Sequence, residues 1–74
     1  MTINTDGSGN SFIESPLTSV NEAVRISLIN PGWTGGECIR INIRDKNNHI
    51  RPGAEIPIEN IDEVVGAIVR LVRR

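Results

Sequence analysis

From Asn60 to Arg74 the apolar residues repeat at helical spacing, and this stretch limits what the rest of the chain can become. Ile61, Val64, Val65, Ile68, Leu71 and Val72 fall on one side of an α-helix, at steps of three and four. Asn60 has the side-chain oxygen an N-cap needs, and Glu63 stands three residues on, as in a capping box. Asp62 and Glu63 suit the positive end of the helix dipole; Arg70, Arg73 and Arg74 suit the negative end. A helix with one apolar stripe needs an apolar surface to lie on, and 74 residues allow only one core.

The complement lies in two alternating stretches. Val24, Ile26 and Leu28 alternate with Arg25 and Ser27; Ile39, Ile41 and Ile43 alternate with Arg40, Asn42 and Arg44. Alternation with period two is the mark of a half-buried strand. Asn30-Pro31-Gly32 and Gly35-Gly36 form the loop between them, and Asp45-Lys46-Asn47-Asn48 is a tight turn. His49 to Arg51 can return as a short strand, Pro52-Gly53 turns again, and Ala54 to Ile58 is a last strand. Within it Ile56 and Ile58 face the core, and Pro57 holds the strand at an edge because it cannot donate to a ladder. The expected class is α+β: a small antiparallel sheet of three or four strands with one C-terminal amphipathic helix on one face.

Residues 1–20 contrast with this. They are rich in Thr, Asn, Ser, Gly and Asp, show no sustained period, and read as a flexible, disordered N-terminal arm before a single domain over residues 21–74. Phe12, Ile13 and Leu17 are the arm's apolar cluster; they either pack on the domain edge or form a short motif that orders on a partner. Residues 1–23 hold three acids and no base, whereas residues 24–74 hold eight bases and six acids. An acidic arm thus precedes a mildly basic module, well short of the strongly basic balance usual in nucleic-acid domains.

The chemistry-bearing residues are few. The glycine loop of Pro31 to Gly36 lacks a following Gly-Lys-Ser/Thr and leads into a strand, so it is read as a connection, not a phosphate cradle. His49 is the only histidine and lies in a polar turn; Cys38 is the only cysteine and opens a strand. No cofactor, metal or catalytic set is expected, and the chain is read as a non-enzyme. One cysteine, no apolar run of membrane-spanning length and no leader pattern read as a cytoplasmic protein. Trp33 has two readings: an indole folded back over the sheet edge, or an exposed anchor of the kind enriched at interface hot spots. Arg25, Arg40 and Arg44, with Lys46 and Arg51 nearby, form the outward row of the sheet, a solvated face or a binding one. The expected partner-binding residues are Phe12, Ile13, Arg25, Trp33, Arg40 and Arg44. The sheet strands are read as free of aromatics, which weighs against base stacking.

The run from Arg25 to Leu71 resembles the single-stranded DNA-binding domain of the PC4 family of transcription coactivators. It shares a β-meander, then Arg51-Pro52-Gly53, then the short strand Glu55-Ile56-Pro57-Ile58, then an amphipathic helix. The resemblance covers about two-thirds of the chain. It implies a dimer whose sheet binds single strands, with Arg40, Arg44 and Arg51 in the basic positions. In organisation the chain is also similar to small phage-encoded regulators that bind host RNA polymerase. That likeness rests on the arm from Thr2 to Val20 and on Phe12 and Trp33. It implies a non-enzymatic regulator, monomer or homodimer, inhibiting bacterial initiation by protein contact; single-stranded nucleic acid is the alternative ligand.

Overall fold

The two alternating stretches pair with each other, and the sheet grows outwards from them. The computed structural model describes residues 1–74. It contains strands β1 (Asn4–Thr5), β2 (Ser11–Leu17), β3 (Glu22–Ile29), β4 (Cys38–Arg44), β5 (Ile50–Arg51) and β6 (Glu55–Pro57). A 3₁₀ turn over Ile58–Asn60 then leads into one helix, α1 (Ile61–Val72). The protein is α+β, an antiparallel sheet of six strands with a C-terminal helix. Strands β1 to β4 form a meander, and both β5 and β6 pair with the outer edge of β4. The helix is too short to cross a membrane.

In the β3–β4 ladder Val24 lies opposite Ile43, Ile26 opposite Ile41 and Leu28 opposite Ile39. Directly opposed residues share a face, so these six make one aliphatic face. Ile13 of β2 and Ile56 of β6 extend it, opposite Ile26 and Ile39 respectively. The same registers put Arg25, Ser27, Arg40, Asn42 and Arg44 on the other face.

Residues 1–20 are not a disordered arm. They supply β1 and β2, and β2 pairs with β3 from Phe12–Ser27 to Leu17–Glu22. The polar run Asp6 to Asn10 is the turn between them. The Asp6 carboxylate accepts the N–H groups of Ser8 at 2.8 Å and Asn10 at 2.9 Å, which holds that carboxyl below its usual range. Pro16 is tolerated in β2 because β1 reaches only Phe12 and Ser11, leaving this part of β2 at the sheet edge. The sheet therefore has six strands where three or four are expected.

The join between β5 and β6 bulges at Gly53. A Cβ there would run into the carbonyl oxygen of Ile41, and the Ile41 N–H donates to Ala54 O at 2.9 Å. Only glycine lets the chain pass this close to β4.

The helix spans the expected residues but differs in its start and its packing. Asn60 already has helical dihedrals (φ −104°, ψ −1°) and makes no side-chain capping bond, because the 3₁₀ turn runs directly into α1. Ile58 belongs to that turn and is exposed, not core-facing. The main neighbour of α1 is the 3₁₀ turn, not the sheet. Every α1 residue except Ile61 and Val64 is exposed, including Leu71 at 67% and Val72 at 76%. The expected helix across the isoleucine face is absent, and that face stays open, with Ile26 and Leu28 exposed. Nothing lies within 4 Å of a Cβ at Gly66, so no loop or second helix makes use of the gap there.

Candidate functional site: the arginine face

The three residues the fold buries, Ser27, Ile29 and Cys38, all lie on the arginine face, not on the aliphatic one. The same face carries a layer of ion pairs and two aromatic rings. Glu14 of β2 lies opposite Arg25 of β3, which lies opposite Asn42 of β4, two positions from Arg44. The Glu14 carboxylate accepts Arg25 Nε at 2.7 Å and pairs through its other oxygen with Arg44 Nη2. Arg44 Nε also reaches Glu14 Oε2 at 3.2 Å, and Arg44 Nη1 donates to Asn48 at 3.0 Å. Arg44 foremost, then Arg25, hold the Glu14 carboxyl below its ordinary range against the opposing pull of burial. Arg44 is pushed up in return by the same hydrogen bond.

A second cluster sits at the far end of β4. Glu55 of β6, opposite Arg40, accepts Arg40 Nε at 2.7 Å through Oε2. Through Oε1 it accepts the backbone N–H of Trp33 at 2.8 Å. The Trp33 bond foremost, with Arg40 beside it, lowers the Glu55 carboxyl. Glu55 and Gly32 crowd Cys38, whose thiol is 1% exposed and pushed up, mainly by burial and then by the nearby carboxylate. Such a thiol is a packing group, not a nucleophile.

Two aromatic rings frame this layer. The Arg25 guanidinium lies 4.2 Å from the Phe12 ring centroid, and the Arg40 guanidinium lies 5.3 Å from that of Trp33. Phe12 lies opposite Ser27 within β2, so the sheet does carry an aromatic, contrary to the sequence-based expectation. Trp33 is held at its backbone and stacked by Arg40, yet its side chain stands out with the residue 76% exposed. It is an outward ring, not one folded back over the edge.

Five of the six expected contact residues therefore meet on one face: Phe12, Arg25, Trp33, Arg40 and Arg44. Ile13 does not; its side chain belongs to the aliphatic face opposite Ile26. Arg51 also leaves the row. It lies opposite Ile43 and pairs with Glu22 at 3.0 Å, at the rim of the aliphatic face. Glu14 and Glu55 are the ion-pair partners of these arginines that sequence reasoning missed. Their signal was spacing alone: each sits at the register position that answers an arginine, but β2 had to be recognised as a strand first.

No His, Cys, Asp or Glu group of three or more is placed to hold a metal ion. His49 lies in the β4–β5 turn, where its N–H donates to Asp45 Oδ1 at 3.0 Å. In comparisons with protein families, with curated proteins and with solved structures, nothing matches the chain.

Proposed function

We propose that the chain is a non-enzymatic transcription regulator that occupies a surface of a bacterial RNA polymerase, as a phage-encoded inhibitor of host initiation does. The observation that carries contact with a protein is Trp33. An exposed indole is normally mobile; this one has its backbone fixed by Glu55 and its ring supported by Arg40. A pre-positioned tryptophan beside an arginine is what interface hot spots are made of, because little ordering cost remains on binding. The ion pairs favour the same kind of partner. Arg25 and Arg44 share Glu14, and Arg40 is matched by Glu55, so little positive field is left to attract phosphates. The choice of polymerase rests on the likeness of organisation: a minimal domain that acts by occupying a surface.

A second reading, single-stranded nucleic acid held as in the PC4 family, is favoured by one arrangement. Phe12 and Trp33 bracket the arginines on one sheet face, the layout on which bases stack between backbone contacts.

One titration separates the two. Labelled full-length chain is mixed with nuclease-treated polymerase and, separately, with a labelled oligonucleotide at low salt. Saturable polymerase binding, weakened by Trp33→Ala and little changed by salt, is the expected result. Absence of polymerase binding at micromolar chain overturns the first reading. Oligonucleotide binding that falls steeply with salt would establish the second.

A further inference from the structure

We infer that the aliphatic sheet face is an interface between two copies of this chain, each covering it with the α1 helix of the other. The aliphatic face and the α1 stripe are both apolar surfaces that the fold leaves open. Ile26 and Leu28 are exposed on the sheet; Val65, Ile68, Leu71 and Val72 are exposed on the helix. Together they form a shallow, nearly all-apolar groove, of about 190 Å³ where Ile3, Ile13, Ile26, Leu28 and Ile39 meet, and a ridge to fill it.

The total surface gives the scale. The chain exposes 5632 Å². A folded monomer of 8.1 kDa exposes about 4,500 Å² by the usual scaling with mass. The excess, on the order of 1,000 Å², matches the ~800 Å² per partner that a standard stable interface removes.

The dimensions agree as well. The 12 residues of α1 make a rod about 18 Å long. Four strands, β2, β3, β4 and β6, present the aliphatic face, and at ~4.8 Å spacing it is about 14 Å across. A chain carrying both a ridge and its groove satisfies each once when two copies meet about a two-fold axis.

The helix of the same chain does not take this place, because no loop lies between β6 and α1. Pro57, the last residue of β6, is followed at once by the 3₁₀ turn, and Asn60 continues with helical dihedrals into Ile61. The direction of α1 is thus set by the strand edge, and a fold-back would require breaking this run. Pairing through the aliphatic faces leaves both arginine faces outermost, so the inferred dimer would present the Trp33 surface twice. The interface itself does not depend on what that surface binds.

The test uses the full chain. Sedimentation equilibrium at concentrations well above micromolar should give twice the mass of the chain, with little dependence on salt. A sample mixed from labelled and unlabelled copies should then show intermolecular NOEs from the Leu71 and Ile68 methyls to Ile26 and Leu28. Ile68→Glu on α1 and Ile26→Lys on β3 should each weaken association at least tenfold, and mixing the two variants should restore a dimer. A monomer at every concentration overturns the proposal. So does a dimer whose intermolecular NOEs run from helix to helix with none to the sheet. The wild-type measurements stand even if either variant fails to fold.

Discussion

Arg44 at the end of β4 is ion-paired across β3 to Glu14 of β2, thirty residues away in the chain. Arg25 of the intervening strand binds the same carboxylate, with Nη2 and Oε2 2.7 Å apart. Three strands are therefore tied at one point on a side chain from the stretch whose composition is least suggestive of structure.

That tie makes acid the condition under which the fold weakens. The folded-state pKa of Glu14 is lowered from an ordinary 4.5 by Arg44 and Arg25. A group with a depressed folded pKa contributes its stability above the unfolded value and loses it as pH falls through the folded one. Thermal unfolding followed by circular dichroism should show a melting temperature that is level near neutrality and drops below about pH 4.5. Glu14→Gln should cost about 1–2 kcal/mol at pH 7 and make that acid limb shallower, leaving the part contributed by Asp6, Asp45 and Glu55, whose carboxyls are also held below their usual range.

Removing residues 1–19 should unfold the protein, not leave a trimmed domain. The deletion takes away β1 and all of β2, including Phe12 opposite Ser27, and it leaves Arg25 and Arg44 without Glu14. A domain of this size has only about 3–5 kcal/mol to lose. The amide spectrum of residues 20–74 should collapse to the narrow range of an unfolded chain. Retained dispersion would show that β2 contributes little.

Gly53 and Gly66 should respond to alanine in opposite directions. Gly53→Ala pushes a methyl into the Ile41 carbonyl and against Asn42 Oδ1, a buried atom with no hydrogen-bond partner. It should cost about 3 kcal/mol or more, the range of an overpacked site without room to relax. Gly66→Ala meets open space on the polar side of α1 and should stabilise by about 1 kcal/mol. Urea denaturation of both variants beside the parent chain checks the pair.

Trp33→Ala should separate binding from folding. The ring is exposed and its main partner is Arg40, so stability should change by about 0.5–1 kcal/mol, the scale of an exposed cation–π contact. Partner affinity should fall at least tenfold if Trp33 anchors the contact. Loss of folding in this variant would show instead that the ring holds the loop over Cys38.

The elements legible from sequence are those whose signal is local. Strict alternation in β3 and β4 and the three-and-four spacing of α1 follow from backbone geometry that any neighbour must accept. Asp45 to Asn48 reads as a turn because asparagine tolerates the left-handed region, and Asn48 does sit at φ 67°. The β2 strand lacks such a signal. Ser15 interrupts the aliphatic row of Ile13 and Leu17, and Pro16 argues against a strand until it is known to lie at an edge. Composition then pointed to disorder, while the ladder with β3, a long-range pairing, made it a strand. Only that ladder assigned Phe12 to the arginine face and Ile13 to the opposite one. The helix gives the reverse case. Its apolar stripe was plain in the sequence, but what the stripe covers depends on the direction of the chain leaving β6. The 3₁₀ turn sends α1 away from its own sheet, so hydrophobic pattern alone determined that the stripe must be covered, and tertiary geometry decided that the cover is not this chain's own sheet.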